Sequence, residues 1–179
     1  MKKIYLLLAF AMTIALPAKA QLYAGGGFSY YTTQTSNTNQ IVDYLSIAPE
    51  AGYFFSKVGS IGFAYKYART DFQDGSLDNY TTQTFTPYFR PQLLEVGPLS
   101  LFVDIKFSYS RLAYLHYSET GYIIGVSPGI SYYLTNRFFT VLNFGIAGYC
   151  SNSNAYGFEG WGADLGLMTT KLGFYYSFW

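Results

Sequence analysis

The clearest pattern in the chain is an alternation of apolar and polar residues between Leu99 and Ser110. Every second residue is apolar, and the residues between them include Asp104 and Lys106. A period of two residues predicts a β-strand whose two faces lie in different environments. A lysine in the middle of a bilayer costs about 2–4 kcal/mol, so we expect the charged face to line the inside of a closed barrel. The opposite face would then contact lipid, and it consists of Leu101, Val103, Ile105, Phe107 and Tyr109.

Similar segments recur along the chain and predict eight antiparallel strands. We place them at residues 22–31, 44–55, 60–69, 82–91, 99–110, 121–133, 138–149 and 161–178. The connections alternate between long polar segments, typical of extracellular loops, and short turns, typical of the periplasmic side. The long segments are 32–43, 70–81, 111–120 and 150–160, and the short ones are 56–59, 92–98 and 134–137. The predicted fold class is therefore all-β: an eight-stranded antiparallel up-and-down transmembrane β-barrel with both termini in the periplasm.

Three prolines, Pro49, Pro87 and Pro128, fall inside the second, fourth and sixth predicted strands. A proline within a paired strand removes one hydrogen bond of the ladder and is usually confined to edges and bulges. Because no strand of a closed barrel is an edge, we expect a β-bulge at each of the three prolines.

The first 20 residues have the organisation of a secretory signal peptide. A basic Lys2-Lys3 start precedes an apolar run over Ile4–Leu16, and Ala18-Lys19-Ala20 gives an A-x-A cleavage pattern. The apolar run is shorter than the ~20 residues that a membrane-spanning helix needs. We therefore predict a signal peptide at residues 1–20 and a barrel domain at residues 21–179.

The composition agrees with a barrel embedded in lipid. Aromatic residues make up 21% of the chain and charged residues only 12%, whereas soluble proteins carry about 25% charged residues. Removal of the three signal-peptide lysines leaves 8 Lys and Arg (11 − 3) against 10 Asp and Glu, a net charge of −2. This balance predicts no basic surface for nucleic acid. The lone Cys150 cannot form an internal disulfide.

The last nine residues, Lys171 to Trp179, form a predicted aromatic strand. Within it, Lys171, Gly173, Tyr176 and Phe178 resemble the C-terminal signal of bacterial outer-membrane proteins: a polar residue, a glycine two positions on, and two aromatics spaced by one. Trp179 departs from that pattern because it lies one residue beyond the usual aromatic terminus. This resemblance implies recognition by the barrel assembly machinery.

Together with this terminal strand and Ser127-Pro128-Gly129, the strand pattern of residues 21–179 resembles the small bacterial outer-membrane β-barrel superfamily. That superfamily contains OmpX-like and OmpA-like domains, which are often called porin-like. The resemblance implies a location in the bacterial cell outer membrane, in contact with lipid and lipopolysaccharide. We expect a monomer there, after cleavage of the signal peptide.

Six charged residues fall on the predicted lumen face. Eight strands leave an interior that side chains just fill, and buried charges have to be paired. If the turn at 56–59 is tight, Glu50 lies nearly opposite Lys66 on the next strand. The charges then form either an ion path or a plug of salt bridges and hydrogen bonds, and we favour the plug. The six residues are Glu50, Lys66, Arg90, Asp104, Lys106 and Lys171.

A candidate catalytic pair, His116 and Ser118, lies in the third long segment. A histidine beside a serine can activate the hydroxyl for acyl transfer. The segment is similar to the His-x-Ser segment of the lipid A deacylases, which are also eight-stranded outer-membrane barrels. That resemblance places a catalytic acid about twelve residues after the serine, where this chain has Ile130. Glu119 points across the strand from Ser118 and Glu159 lies in another loop, so we favour a solvated loop histidine.

Aromatic residues near the predicted strand ends are typical of the girdles that mark the two membrane interfaces. A carbohydrate-stacking surface is the alternative, and it would require the rings to cluster. The residues are Tyr30, Tyr67, Tyr109, Tyr122, Trp161 and Trp179.

The sequence favours a non-enzymatic role in envelope structure, surface contact or adhesion through four extracellular loops. Three alternatives stay open: a lipid A-modifying hydrolase that uses His116 and Ser118, a narrow porin-like channel, and a soluble periplasmic barrel with an apolar interior. The last of these buries the polar face of the fifth strand at a high cost. We expect no catalytic, cofactor or metal site, since Asp71, Asp74 and Asp78 lack the EF-hand spacing.

Overall fold

The computed structural model describes residues 21–35, 40–56, 58–72, 79–152, 158–165 and 170–178. The predicted signal peptide at residues 1–20 and the terminal Trp179 lie outside this part of the chain. The described residues form one antiparallel β-sheet. None of them belongs to a helix that is long and apolar enough to cross a membrane.

Ten β-segments make up the sheet within the described residues. The first six are β1 (Gln21–Thr35), β2 (Gln40–Ser56), β3 (Gly59–Phe72), β4 (Tyr80–Val96), β5 (Leu99–Ala113) and β6 (Ser118–Tyr133). The last four are β7 (Phe138–Asn143), β8 (Ile146–Cys150), β9 (Gly160–Asp164) and β10 (Lys171–Ser177). β7 and β8 are two parts of the seventh barrel strand, and β9 and β10 are two parts of the eighth.

The sheet closes into a barrel because its last segment pairs with its first. β10 lies antiparallel to β1, with Tyr23 opposite Ser177 and Gly26 opposite Phe174. On its other side β10 pairs with β7, and β1 to β6 each pair with the next segment. The predicted fold class, an eight-stranded antiparallel barrel, is therefore confirmed. We call the half of the barrel that contains Gln21 and Ser177 the proximal half, and the opposite half the distal half.

The first six strands are longer, and the connections between them shorter, than the sequence predicted. The predicted loop 32–43 is largely strand, since β1 runs to Thr35 and β2 begins at Gln40. The predicted turn 92–98 is also mostly strand, because β4 continues to Val96. Threonine, isoleucine and valine favour strands even where a segment is polar on average. Polarity in these segments marks contact with water and not the end of a strand.

The seventh and eighth strands are interrupted near the middle of the barrel, where the sequence predicted continuous strands. β7 ends at Asn143 and β8 begins at Ile146, after Phe144 and a Gly145 whose φ of +61° favours glycine. The Ser127 hydroxyl donates a hydrogen bond of 2.5 Å to the carbonyl oxygen of Gly145. This bond satisfies a backbone group that the interruption removes from the ladder.

None of the bulges predicted at three prolines lies in the strand of its proline, although the seventh strand has an extra residue opposite Pro128. Next to Pro128, the four residues 126–129 of β6 face the five residues 143–147 of the seventh strand. At Pro49 and Pro87 the prediction was wrong, because the ladder to one neighbour is interrupted there but resumes in the same register. A proline removes a single hydrogen bond, and a strand that keeps its other bonds needs no extra residue.

The two faces of the barrel wall differ as the alternation predicted. On β5, Asp104 and Ser108 are buried inside, whereas Ile105 and Phe107 are exposed on the outside. A belt of exposed apolar side chains continues around the barrel, and it includes Leu22, Phe28, Ile47, Phe63, Phe89, Ile124, Leu172 and Phe174. Such a surface far exceeds the apolar patches that soluble proteins expose. The belt therefore identifies a membrane-spanning barrel.

Four residues of the predicted aromatic girdle point outward from the wall. Tyr30, Tyr109 and Tyr122 are exposed, and Trp161 is 84% exposed. Exposed Tyr and Trp of this kind are suited to the boundary between hydrocarbon and water.

Large aromatic rings in the lumen lie directly over glycines of neighbouring strands. The Tyr23 ring covers Gly52, where an added Cβ would lie 2.3 Å from the ring. The Tyr88 ring covers Gly62 in the same way, at 2.2 Å. The small residues of the lumen face thus make room for the rings. The larger of two hydrophobic clusters inside the described part of the barrel consists of Tyr23, Phe102, Phe139, Val141 and Tyr175.

Candidate functional site

Glu50 is the centre of a charged network in the lumen. Its side chain is buried, with 2% of its surface exposed. Its Oε1 accepts hydrogen bonds from the Tyr88 hydroxyl at 2.5 Å and from Nη2 of Arg90 at 3.4 Å. Its Oε2 accepts from the Tyr175 hydroxyl at 2.9 Å and from the ammonium group of Lys171. Donors from β4 and β10 therefore converge on one carboxylate of β2.

Arg90 links Glu50 to a second buried carboxylate, Asp104 of β5. The guanidinium donates from Nε to Oδ1 at 2.6 Å and from Nη2 to Oδ2 at 3.0 Å, a two-point contact that fixes its orientation. Asn143 of β7 donates from Nδ2 to the same Oδ2 at 2.8 Å. The network thus reaches from β2 to β5 and β7.

Aromatic rings enclose the Arg90 guanidinium. Its central carbon lies 4.4 Å from the centre of the Phe102 ring and 4.8 Å from the centre of the Tyr88 ring. Such cation–π contacts contribute about 0.5–2 kcal/mol each. The Tyr88 hydroxyl also lies 2.6 Å from the hydroxyl of Tyr23 on β1. We call the residues that these hydrogen bonds join the lumen network: Tyr23, Glu50, Tyr88, Arg90, Asp104, Asn143, Lys171 and Tyr175.

The lumen network is electrically balanced. Arg90 and Lys171 carry positive charges, and Glu50 and Asp104 carry the matching negative charges. Taking a charge out of water costs several kcal/mol, so buried charges persist only when they are paired and hydrogen-bonded. Side chains from six of the β-segments meet in this network across the barrel. The sequence left two alternatives for these charges, an ion path and a plug of salt bridges and hydrogen bonds. The arrangement matches the plug.

The charges assigned to the lumen do lie inside, but one predicted pair is wrong. The register between β2 and β3 places Ala64, and not Lys66, opposite Glu50. A one-residue shift of register between Phe54 and Ser56, beside the connecting turn, accounts for part of this two-residue difference. A bulge next to a turn displaces every pair beyond it.

The two remaining lumen lysines lie apart from the ion pairs. The Lys66 ammonium is 5.6 Å from the centre of the Tyr44 ring. Lys106 is half-buried and lies opposite Tyr88 on the neighbouring strand. Within the described residues, neither lysine is within ion-pair distance of a carboxylate.

Sequence reasoning missed the uncharged members of the lumen network, which are Tyr23, Tyr88, Asn143 and Tyr175. The available signal was the alternation of side chains along a strand, because residues two or four positions apart share a face. Tyr88 is two residues from Arg90, and Tyr175 is four residues from Lys171, so each shares the lumen face with a charge. The girdle prediction concerns six other aromatic residues, at the membrane interfaces, and gives no role to the lumen tyrosines.

The structure does not assemble a catalytic triad around His116. His116 is exposed in the turn between β5 and β6, and Ser118 is exposed at the start of β6. No side-chain hydrogen bond joins the two in the described part of the chain. Ile130, in the place of the expected acid, lies twelve residues further along the same strand, about 40 Å away.

Metal-binding geometry is also lacking among the described residues, where no three His, Cys, Asp or Glu side chains converge. Of the three acids considered for calcium, Asp71 pairs with Arg69 at 2.8 Å. Asp74 and Asp78 lie outside the described residues.

Comparison with known proteins finds similarity only at the level of the fold. No protein-family model and no curated protein matches the chain. Neisserial surface protein A has a similar fold, with a TM-score of 0.47 and 13% identity over 88% of this chain and 92% of that one. The in-vitro folded trimer form of OmpT, an outer membrane protein of Vibrio cholerae, gives a TM-score of 0.41 and 12% identity. The match covers 90% of this chain but only 52% of the OmpT chain.

These TM-scores and sequence identities carry no information on function. The strand pairing itself bears out the resemblance found in the sequence: the chain adopts the closed eight-stranded architecture of small outer-membrane β-barrels.

Proposed function

We propose that the chain is a closed, non-conducting and non-catalytic outer-membrane β-barrel that serves envelope structure and surface contact or adhesion. The lumen network is the observation that carries this proposal. It joins β2, β4, β5 and β10 through paired charges and adds β1 and β7 through hydrogen bonds of Tyr23 and Asn143, and an eight-stranded interior leaves little space beside it.

The barrel would lie in the outer membrane with its distal half outside. In support, the chain has the pattern of a signal peptide and a C-terminal strand that resembles the assembly signal. The apolar belt would contact lipid and lipopolysaccharide, and closure of β1 on β10 within one chain favours a monomer. Recognition by the barrel assembly machinery is part of the same proposal.

Surface contact is supported by the way the strands continue past the belt. At the distal end of β3, Arg69 and Asp71 form an exposed ion pair. Between β1 and β2, the Thr32 hydroxyl donates to Asp43 at 2.7 Å. These polar ends would hold the connecting loops away from the membrane.

Cysteine labelling tests the orientation. In a Cys150→Ser background, Leu115→Cys places a thiol in an exposed distal turn and Val58→Cys places one in an exposed proximal turn. A membrane-impermeant maleimide applied to intact cells should label Leu115→Cys only. Labelling of Val58→Cys alone would reverse the proposed orientation. If both variants are present in the outer-membrane fraction but neither is labelled on intact cells, the surface role is wrong.

Planar-bilayer recording tests the closed lumen. The folded protein, verified by its heat-modifiable gel mobility, should produce no conductance steps. Steps whose size changes with Arg90→Met would identify the lumen network as an ion path and overturn the proposal.

The non-enzymatic part of the proposal is tested at His116. We expect mass spectrometry of lipid A to give the same species for cells that express the wild type, His116→Ala, or no protein. Lipid A that loses an acyl chain only with the wild-type protein would establish the hydrolase instead.

A further inference from the structure

A row of aromatic rings crosses the distal rim of the barrel above the ends of β3 to β6. The ring centres of Phe72 and Tyr80 are 6.2 Å apart, and those of Tyr80 and Tyr114 are 5.3 Å apart. Tyr114 and Tyr117 stack at 4.4 Å with 13° between their planes. We call these four residues the rim platform. Tyr117, at its end, is 53% exposed.

The rim platform lies beyond the apolar belt, so lipid contact does not explain it. On the outer face of β3, Arg69 and Asp71 follow Tyr67 in the distal direction. On β5, the exposed Arg111 follows Tyr109 in the same way. Charged residues at these positions belong in water or among headgroups. Phe72 follows Asp71 on β3, and Tyr114 follows Arg111 just after β5. The rim platform therefore lies on the aqueous side of these charges.

Hydrogen bonds donated by backbone amides hold the platform in place. The Tyr114 amide donates to the carbonyl oxygen of Tyr117 at 2.9 Å and closes the turn that carries both rings. At the other end, the Phe72 amide donates to Oδ1 of Asn79 at 2.8 Å. A surface that is already ordered loses less entropy when it binds a ligand.

Polar groups border the platform. His116 is exposed in the same turn as Tyr114 and Tyr117. Glu119 on β6 lies opposite Leu112, two residues before Tyr114. Burial raises the pKa of Tyr114, and the Glu119 carboxylate adds to this effect. The platform thus combines flat ring faces with a hydrogen-bond donor and acceptor at its edge.

We propose that the rim platform binds a pyranose oligosaccharide at the cell surface. A pyranose ring has a face of C–H groups, which the electron-rich face of an aromatic ring attracts, and an edge of hydroxyls suited to groups such as His116 and Glu119. Proline-rich peptides also dock on aromatic-lined grooves, but their pyrrolidine rings carry no hydroxyls for the polar border at His116 and Glu119. The row of rings, which is half-buried at its other three residues and exposed at Tyr117, fits the saccharide better at its exposed end. This inference rests on the proposed orientation, in which the distal rim faces the outside.

Tyr117 offers matched variants for the test. Tyr117→Ala removes the exposed ring, whereas Tyr117→Phe keeps the ring face and removes only the hydroxyl. Tyr122→Ala removes another exposed ring, one on the outer wall of β6 beside Tyr149. All variants are compared in detergent micelles after their heat-modifiable mobility shows that they are folded.

The probe is an array of linear glucose, galactose, mannose and N-acetylglucosamine oligosaccharides, followed by saturation-transfer NMR on the sugar with the strongest signal. We expect the wild type to bind at least one of these sugars and Tyr117→Ala to weaken binding about tenfold. Tyr117→Phe and Tyr122→Ala should stay close to the wild type. Absence of wild-type binding, or equal binding by Tyr117→Ala, overturns the inference. If Leu115→Cys is labelled from outside in either case, the saccharide site fails while the proposed orientation stands.

Discussion

The proximal and distal halves of the lumen solve the same packing problem with different chemistry. Proximally, charged side chains form the lumen network around Glu50 and Arg90. Further distally, neutral hydroxyls pair across β4 and β5: Thr84 lies 2.7 Å from Ser110, and Thr86 donates to Ser108 at 2.8 Å. Both arrangements satisfy polar groups that face away from lipid. The two arrangements differ in the group that stays buried without a partner after a substitution, which is a charge in the lumen network and a neutral hydroxyl in the distal pairs.

The difference predicts where the stability of the barrel is concentrated. A buried charge that loses its partner is costly, about 3–5 kcal/mol, whereas a neutral hydrogen bond contributes about 0.5–1.5 kcal/mol. Substitutions in the lumen network should therefore destabilise the barrel several times more than substitutions of the hydroxyl pairs.

The largest effect should come from Glu50→Ala. This change leaves Lys171 without a carboxylate partner and removes one of the two that Arg90 contacts. We expect the free energy of unfolding to fall by about 3–5 kcal/mol. Equilibrium urea unfolding in phospholipid vesicles, followed by tryptophan fluorescence, measures the change.

A second variant separates the charge of Glu50 from its hydrogen bonds. Glu50→Gln keeps an acceptor oxygen for only one of the Tyr88 and Tyr175 hydroxyls, presents an NH2 group to the other, and removes the negative charge. It should recover only part of the loss. If both variants lose less than about 1 kcal/mol, the network is no more stabilising than a hydroxyl pair and the comparison fails.

An intermediate effect should come from Gly62→Val, which tests the contact between glycine and ring. Any Cβ at this position would overlap the Tyr88 ring and push its hydroxyl away from Glu50. Overpacking of this kind costs about 1–3 kcal/mol. Ala51→Val, on the outward face of β2, is the matched control and should change stability by less than about 0.5 kcal/mol. Equal losses in the two variants would show that the glycine is not required for the ring.

The sequence revealed the repeating parts of this structure more fully than the irregular ones. Alternation of apolar and charged residues on β5 was enough to predict a closed barrel and the direction of Asp104 and Lys106. The pairing of Glu50 was not predictable, because alternation fixes the face of a residue but not its partner, which depends on the exact turn and on the register shift near Ser56. The rim platform was missed as well, since its rings come together only when the ends of four strands are placed side by side.

The smallest effect should come from Thr86→Val, which removes the hydroxyl bonded to Ser108 and keeps the shape of the side chain. We expect a loss of about 1 kcal/mol, because the Ser108 hydroxyl then loses this partner. The double variant Thr86→Val with Ser108→Ala removes both hydroxyls and should be closer to the wild type than the two single losses added together. A neutral pair can be deleted as a unit in this way. Glu50 cannot be removed with any single partner, since both Arg90 and Lys171 depend on it. Strict additivity in the double variant would show that the hydroxyls act independently, and the contrast between the two halves would then rest on the charges alone.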